Sequence, residues 1–137
     1  DDNSSYWNAV SNLENKKELT NNSIVKCYVA KNKNIIFCSR KEVLINNIYA
    51  NMPVMKLSGL QVFKKNALNL YKSNKLTPLE KKFSIGQMRI IENNQILKSI
   101  KIDKGYRGID KKIDIRYAFN TFKIDFEQKK VLQKIIY

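Results

Sequence analysis

Histidine is absent from this sequence of 137 residues, and glycine, arginine, proline and cysteine are scarce, with four, four, two and two residues. The missing histidine excludes His-dependent triads, His-based acid–base catalysis and His-ligated metal sites. Neither a P-loop nor a dinucleotide-binding glycine fingerprint occurs. No apolar run reaches about 18 residues, so no transmembrane segment is predicted. We therefore predict no catalytic residue, no metal and no cofactor.

Positive charge, by contrast, is abundant. Lysine and arginine number 26 against 12 acidic residues, which gives a formal net charge of +14. One interpretation is attraction to an anionic partner such as nucleic acid, an acidic membrane surface or an acidic protein. The alternative is compositional, because lysine, asparagine and isoleucine are all favoured by AT-rich coding sequence. Arginine, which binds phosphate through two parallel hydrogen bonds, would be expected at a site for nucleic acid. Its rarity favours the compositional interpretation.

The hydrophobic pattern predicts a mainly β fold, with α+β as the alternative. Runs rich in β-branched and aromatic residues, or with alternating polarity, recur at intervals of about ten residues. This spacing favours an antiparallel sandwich, barrel or curved sheet of about seven or eight strands. The predicted strands span residues 24–30, 35–40, 54–63, 67–71, 87–91, 95–102, 113–117 and 122–126, and a final strand or helix spans 131–137.

Two helices complete the predicted fold. Residues 6–19 place Tyr6, Val10 and Leu13 at helical spacing, which predicts an N-terminal helix packed on the β body. The run Thr77-Pro78-Leu79-Glu80 has the form of a capping box and predicts a short internal helix. Residues 41–51 fit either a helix or a strand. We predict one domain over residues 1–137, with residues 1–5 flexible.

The two cysteines lie on the two strands of the predicted hairpin. A hairpin centred between Asn32 and Lys33 places Cys27 directly opposite Cys38, at a Cα separation of roughly 4.5–5.5 Å that suits a disulfide. A four-residue loop over 31–34 would place the pair at the closer, non-hydrogen-bonded position. The pattern therefore predicts a Cys27–Cys38 disulfide and an oxidising compartment. The alternative is two neighbouring buried thiols.

Other chemistry has little support in the sequence. Asp114, Asp125, Glu127 and Lys129 have the residue types of a metal-dependent nuclease, but strand alternation explains the acidic residues equally well. A metal-independent ribonuclease that uses basic residues and tyrosine is harder to exclude, because cations can stabilise a phosphate transition state without any motif.

The best candidate for a recognition element is the segment that follows residue 102. Two glycines bracket Tyr106 and Arg107, so the backbone can turn tightly and present both side chains. Tyrosine and arginine are frequent in binding hot spots. The alternative is an ordinary connecting loop. The predicted recognition residues are Lys104, Tyr106, Arg107, Lys111, Lys112 and Arg116.

These observations favour a non-enzymatic, extracytoplasmic module for protein interaction or assembly, such as the soluble part of a membrane-anchored secretion, pilus-like or surface component. The predicted disulfide and the missing initiator methionine favour a periplasmic, secreted or surface location, with an anchor removed from the precursor. The predicted partner is a protein first and nucleic acid second. The alternative function is a basic nucleic-acid-binding domain or a metal-independent ribonuclease toxin.

Overall fold

A computed structural model describes residues 4–41, 53–103, 105, 108, 109 and 112–136. Contacts group the chain into two compact units, Asp1–Gly105 and Tyr106–Tyr137. The prediction of a single domain stays a prediction. The elements in chain order are β1 (Tyr6–Ser11), α1 (Lys16–Thr20), β2 (Lys26–Val29), β3 (Ile35–Ser39), β4 (Val54–Phe63), α2 (Lys65–Ser73), α3 (Pro78–Phe83), α4 (Gln87–Glu92), β5 (Leu97–Lys101), α5 (Lys112–Ile124) and α6 (Phe126–Ile136).

The first unit is built on one mixed sheet of five strands in the order β3-β2-β4-β1-β5. β1 pairs parallel with β5, whereas the pairs β1–β4, β2–β3 and β2–β4 are antiparallel. The prediction of a mainly β fold with seven or eight antiparallel strands is therefore wrong. Within the described residues the fold is mixed α/β, with five strands and six helices.

β1 corrects the predicted N-terminal helix over 6–19. It lies between β4 and β5, so a neighbouring strand pairs with each of its edges. Five of its six residues are buried, and Trp7 is the partly exposed one. A strand covered on both faces has no wet face and therefore loses the two-residue alternation that identifies strands. The helical spacing of Tyr6 and Val10 was coincidental, and the helix in this region is the short α1.

The core of the first unit lies between the sheet and the helices α2, α3 and α4. Met88 and Ile90 of α4 are almost fully buried in the same cluster as Tyr6, Val10 and Leu97 of the sheet. Each such side chain contributes about 1.5–3 kcal/mol when it leaves water. Edge-to-face ring contacts add to this packing, with centroid distances of 5.5 Å for both Tyr6–Phe63 and Phe37–Phe83.

Four segments predicted as strands are helical in the structure. Residues 67–71 lie in α2, 87–91 in α4, 113–117 in α5, and 122–126 span the end of α5 and the start of α6. The reason is that a short run cannot separate a period of 2 from a period of 3.6. Along α5, the large side chains Ile115, Phe119 and Phe122 recur at spacings of four and three, which the strand interpretation ignored.

The predicted internal helix is present as α3, with Pro78 at its first turn. Its capping differs from the predicted box, because Thr77 makes no side-chain cap bond. Instead, the Glu92 carboxylate accepts hydrogen bonds from the backbone N–H groups of Leu79 and Glu80 at 3.1 and 3.2 Å. The free amides of the first helical turn are thus satisfied by the end of α4. α3 ends at Phe83, and the residue that follows, Ser84, has a left-handed φ of 54°.

The predicted hairpin of β2 and β3 is confirmed, and Cys27 lies directly opposite Cys38. The loop is one residue shorter than predicted. The Ala30 N–H donates to the Asn34 oxygen at 2.8 Å, and Lys33 adopts a φ of 67°. This is the three-residue loop with a left-handed third residue. The register shifts between Tyr28 and Val29, which brings the cysteines opposite each other despite the shorter loop.

Both cysteines are buried free thiols, so the predicted disulfide is wrong and the alternative of two neighbouring thiols is correct. Burial raises the pKa of the Cys27 thiol to about 12, and a hydrogen bond with the Met55 backbone lowers it only in part. Burial and the proximity of Cys27 also raise the pKa of Cys38 well above its ordinary value. Burial therefore disfavours the reactive thiolate form of both cysteines.

The second unit is a hairpin of the helices α5 and α6, which are joined at Asp125. The Asp125 carboxylate accepts a hydrogen bond from the Gln128 N–H at 3.2 Å, and the Asp125 carbonyl accepts one from Lys129 at 3.1 Å. Asp125 therefore caps α6. None of the described helices is both long and apolar enough to cross a membrane.

Candidate functional site

A cleft of about 860 Å³ opens in the first unit between the β2–β3 hairpin, β1 and β5. Its lining combines an indole ring with four lysines and contains no acidic residue among the described residues that form it. The lining residues are Trp7, Val10, Asn12, Val29, Ala30, Lys31, Lys33, Pro53, Met55, Lys98, Ser99, Ile100 and Lys101. A concave, electropositive surface of this kind is suited to an anionic ligand.

The wall of the cleft formed by the hairpin is fixed to β5. The Lys33 carbonyl oxygen accepts two hydrogen bonds from Ser99, one from its N–H at 2.8 Å and one from its hydroxyl at 2.9 Å. The Lys98 ammonium donates to the Asn32 carbonyl oxygen at 2.8 Å. The left-handed conformation of Lys33 directs its carbonyl group into this contact. The loop is therefore held by three hydrogen bonds to a strand on the opposite edge of the sheet.

Trp7 forms the aromatic part of the lining. It lies on β1, opposite Lys98 of β5 and Val62 of β4. The Lys64 ammonium lies 5.7 Å from the centroid of its ring, within the range of a cation–π interaction. An indole ring beside several cations can stack on a planar ligand whose other groups are anionic.

A second polar feature lies at the irregularity between β1 and β4. The register shifts between Asn8 and Val10, so that Ser58, Gly59 and Leu60 all lie opposite Ala9. The Asn8 amide donates to the carbonyl oxygens of Ser58 and Ala9 at 2.9 and 2.8 Å, and the Gln87 amide donates to the Asn8 oxygen at 2.9 Å. Asn8 and Gln87 are buried. Bulges of this kind often lie next to functional sites, where they redirect side chains.

Two buried lysines lie side by side across the sheet. Lys26 of β2 pairs with Lys56 of β4. Lys56 is neutralised by Glu18 at 2.9 Å and Glu14 at 3.5 Å. The Lys26 ammonium donates to the carbonyl oxygens of Asn21, at 3.0 Å, and Arg40. Buried ammonium groups need such partners, so these two lysines are structural parts of the sheet.

The structure describes two of the six predicted recognition residues. Lys104, Tyr106, Arg107 and Lys111 lie outside the described residues. Lys112 and Arg116 lie on α5, where both are exposed. Their role in binding stays a prediction.

The residues of the nuclease alternative are also placed on the helical hairpin. Asp114 is on α5, Asp125 caps α6, and Glu127 and Lys129 are on α6. No group of three or more cysteine, aspartate or glutamate residues that could hold a metal ion occurs in the described part of the chain.

Sequence reasoning missed the cleft, because its residues come from four separate segments of the chain. Lys31 and Lys33 were assigned to a hairpin turn, and Lys98 and Lys101 to a separate strand. The only signal that pointed to an anion site was the overall excess of lysine, and this signal does not identify positions.

No protein-family model matches the chain. Three curated proteins resemble it. Two are bacterial 3-deoxy-manno-octulosonate cytidylyltransferases, from Fusobacterium nucleatum (28% identical over 111 residues) and Protochlamydia amoebophila (28% identical over 109 residues). The third is the mitochondrial 3-deoxy-manno-octulosonate cytidylyltransferase of Arabidopsis thaliana (30% identical over 113 residues). The matches cover 77–81% of this chain. The chain spans less than half the length of each relative, namely 45%, 42% and 39%.

A solved structure shares the fold. It is CMP:2-keto-3-deoxy-manno-octonic acid synthetase complexed with CTP, which superposes with a TM-score of 0.76 at 14% sequence identity. The superposition covers 88% of this chain and 50% of that chain. The mixed α/β architecture is therefore that of a known enzyme fold.

These findings correct the predicted function and location. The relatives are named as cytidylyltransferases, which are enzymes. They are neither interaction modules of a secretion system or cell surface nor nucleic-acid-binding proteins or ribonucleases. The extracytoplasmic prediction rested on a disulfide that is not formed, and the Arabidopsis relative is named as mitochondrial. The predictions of a secreted, periplasmic or surface protein are wrong. The prediction of a protein partner stays a prediction.

Proposed function

We propose that this chain forms part of a cytidylyltransferase that uses CTP and an acidic sugar of the 3-deoxy-manno-octulosonate type. The observation that carries the proposal is that three relatives with this one activity match about four-fifths of the chain. The fold likeness to a synthetase that was solved with CTP supports it independently. Because the chain spans less than half of the relatives, it would supply one part of the catalytic apparatus.

The chemistry of the cleft fits substrates of this class. CTP carries a triphosphate and the sugar acid carries a carboxylate, so both substrates are anions at neutral pH. Lys31, Lys33 and Lys101 line the cleft and are exposed, so they can approach such groups. Each exposed lysine would contribute a modest amount, about 0.2–1 kcal/mol, to binding. The ring of Trp7 offers a stacking surface for a planar base.

The position of Trp7 provides a direct binding assay. It is the only tryptophan of the chain, and it lines the cleft. We expect CTP to change the fluorescence of Trp7 in a saturable manner. We expect the double variant Lys31→Gln/Lys101→Gln to bind roughly three- to tenfold more weakly, because two charges are lost. The matched control is Lys72→Gln/Lys75→Gln, which removes two exposed charges away from the cleft.

Two further comparisons separate the proposal from unspecific binding. CTP should bind more tightly than ATP at equal ionic strength, and added 3-deoxy-manno-octulosonate should alter the CTP titration. Equal affinities for CTP, ATP and pyrophosphate would show that the cleft binds anions in general and does not select the cytidine nucleotide. The absence of any saturable change with CTP would overturn its role in binding the nucleotide.

A further inference from the structure

The tip of the β2–β3 hairpin joins the two edges of the sheet at one corner. β3 and β5 are the outermost strands in the order β3-β2-β4-β1-β5. Asn34, just before β3, nevertheless forms an isolated antiparallel bridge with Lys98 of β5. The sheet therefore curls until the start of β3 meets β5, and residues from both sides of this corner line the cleft. We call the contacts of residues 32–34 with residues 98–99 the latch.

The latch consists of few hydrogen bonds, and water reaches its side-chain bonds. The Lys33 carbonyl oxygen accepts from the N–H and the hydroxyl of Ser99, at 2.8 and 2.9 Å. The Lys98 ammonium donates to the Asn32 carbonyl oxygen at 2.8 Å. Both side-chain bonds are exposed. Because exposed groups can exchange these bonds for bonds to water, each one adds only modestly to the stability of the closed latch.

Two features of the tip oppose closure of the latch. Lys33 has a φ of 67°, in the left-handed region that suits glycine and is strained for a residue with a side chain. Closure also brings Lys31 and Lys33 of the tip towards Lys98 and Lys101 of β5, so that four ammonium groups line one volume. These like charges repel one another. The stability of the closed latch is therefore a small difference between opposed effects.

An anion in the cleft would reverse the effect of the charges. In the closed latch it lies between the lysines of the tip and those of β5 and attracts both groups. When the latch opens, the lysines of the tip move away and the anion keeps only those of β5. The anion therefore binds the closed latch more tightly than the open one. By linkage, the bound anion makes the latch harder to open.

We propose that the latch couples closure of the cleft to the binding of a polyphosphate anion, with Ser99 as the positioning residue. Ser99 holds the Lys33 carbonyl group and thereby places Lys31 and Lys33 against the anion. Opening of the latch admits and releases the ligand, and binding keeps the latch closed. The inference rests on the part of the proposed function that assigns anion binding to the cleft. It does not depend on the selection of CTP.

Amide hydrogen exchange on the full chain measures opening of the latch, with pyrophosphate as the probe. The Ser99 N–H is bonded to the tip, whereas the nearby Ile102 N–H donates to the Val10 oxygen of β1 at 2.8 Å and serves as the internal control. Trp7 fluorescence establishes saturation. We expect saturating pyrophosphate to slow exchange at Ser99 by about tenfold or more, because the anion stabilises the closed latch. Exchange at Ile102 should slow much less.

The variant Ser99→Ala tests the positioning role, and Ser99→Thr is its matched control. Loss of the hydroxyl should raise the exchange rate of the residue 99 amide, corrected for its intrinsic rate, by about three- to tenfold in the absence of anion. It should weaken pyrophosphate binding by up to the same factor, because less of the protein has a closed latch. Ser99→Thr keeps the hydroxyl and should restore both. If Ser99→Ala weakens binding without changing exchange in the free protein, the hydroxyl contacts the anion directly and the positioning role is wrong.

The remaining outcomes separate the latch from the proposed function. Saturable binding of CTP or pyrophosphate with unchanged exchange at Ser99 would overturn the latch, while a preference for CTP in that experiment would leave the proposed function intact. Slower exchange at Ser99 with both ligands, but equal affinity for them, would support the latch and contradict the selection of CTP. Equal slowing at Ser99 and Ile102 would show that the anion stabilises the whole unit, and this would overturn the coupling. So would the absence of saturable pyrophosphate binding.

Discussion

At the scale of single residues, Arg89 makes an extensive set of polar contacts in the first unit. Its guanidinium forms a two-pronged ion pair with Glu80, at 2.6 and 2.7 Å, and donates to the carbonyl oxygens of Tyr71 and Asn74. It also lies 4.4 Å from the centroid of the Tyr71 ring. One side chain of α4 thus holds α2 and α3 together. The glutamate that the sequence assigned to a capping box is the partner in this ion pair.

We predict that Arg89→Met lowers the free energy of unfolding by about 3 kcal/mol, because Glu80 is left buried without a countercharge. The measurement is urea denaturation followed by circular dichroism. The control Lys81→Met removes an exposed charge from α3 and should change stability by no more than about 0.5 kcal/mol. The double variant Arg89→Met/Glu80→Leu should recover part of the loss. A loss below about 1 kcal/mol for Arg89→Met would show that the ion pair is not important for stability.

Glu92 gives the first unit a dependence on pH. Desolvation raises the pKa of Glu92, but the Thr77 hydroxyl and the Leu79 and Glu80 amides lower it more, so the pKa lies below its ordinary value of 4.5. A carboxyl group whose pKa is lower in the folded state stabilises the protein above the unfolded pKa, and this stabilisation is lost as the pH falls through the folded pKa. The cap of α3 is therefore weakened in acid.

We predict that Glu92→Gln is less stable than the unaltered protein by a constant amount above pH 4.5, and that the difference shrinks at lower pH as Glu92 protonates. Urea denaturation at a series of pH values between 3 and 7 measures it. Glu127→Gln on α6 is the control, because Glu127 is exposed and has no part in the α3 cap. A difference that stays constant down to pH 3 would contradict the role of the Glu92 carboxylate.

At the scale of elements, the sequence predicted best where local chemistry decides the structure. The β2–β3 hairpin, β4, β5 and α3 were found because β-branched runs, turn residues and the Thr-Pro pair act within a few residues. The cysteine register was found for the same reason. β1 was missed because its burial depends on β4 and β5, which are distant in sequence. The cleft was missed because its lysines meet only when the hairpin contacts β5.

Gly105 shows how a single contact constrains two strands. A Cβ atom at this position would lie 2.2 Å from the Ser11 hydroxyl oxygen, 3.0 Å from the Ser11 Cβ and 3.3 Å from the Lys56 Cε. Ser11 and Lys56 are paired across β1 and β4 and are both buried. The backbone at Gly105 therefore packs directly on the sheet, and there is no room for a side chain.

We predict that Gly105→Ala lowers the free energy of unfolding by about 1–3 kcal/mol through overpacking against Ser11. The matched control is Gly59→Ala, where a Cβ atom would meet nothing within 4 Å. That variant should be unchanged or up to about 1 kcal/mol more stable, because alanine restricts the unfolded chain. Thermal and urea denaturation of the two variants would be compared. Equal stabilities for both would show that the chain relaxes around residue 105 at no cost.

At the scale of the whole molecule, the net charge of +14 has two consequences that the sequence could not separate. Part of the excess charge lines the cleft, where Lys31, Lys33, Lys98 and Lys101 face one volume. Other lysines lie at exposed positions of the helices, such as Lys72 and Lys81. The first group would bind an anion, while the second repels itself and destabilises the compact state.

These two effects predict different responses to salt. Sodium chloride should raise the free energy of unfolding between low salt and about 0.3 M, because the Debye length falls below about 10 Å and screens the repulsion between lysines. Sodium sulfate at the same ionic strength should stabilise the unaltered protein more than chloride does, because an anion held in the cleft favours the folded state.

Sulfate also strengthens apolar burial in general, so the stabilisation by sulfate must be compared with that of a variant whose cleft has lost charge, Lys31→Gln/Lys101→Gln. If the cleft holds anions, the extra effect of sulfate over chloride is smaller in that variant than in Lys72→Gln/Lys75→Gln. If the extra effect is equal in both variants, sulfate acts on the whole surface and the cleft holds no anion. Urea denaturation, which adds no ions, provides the measurement.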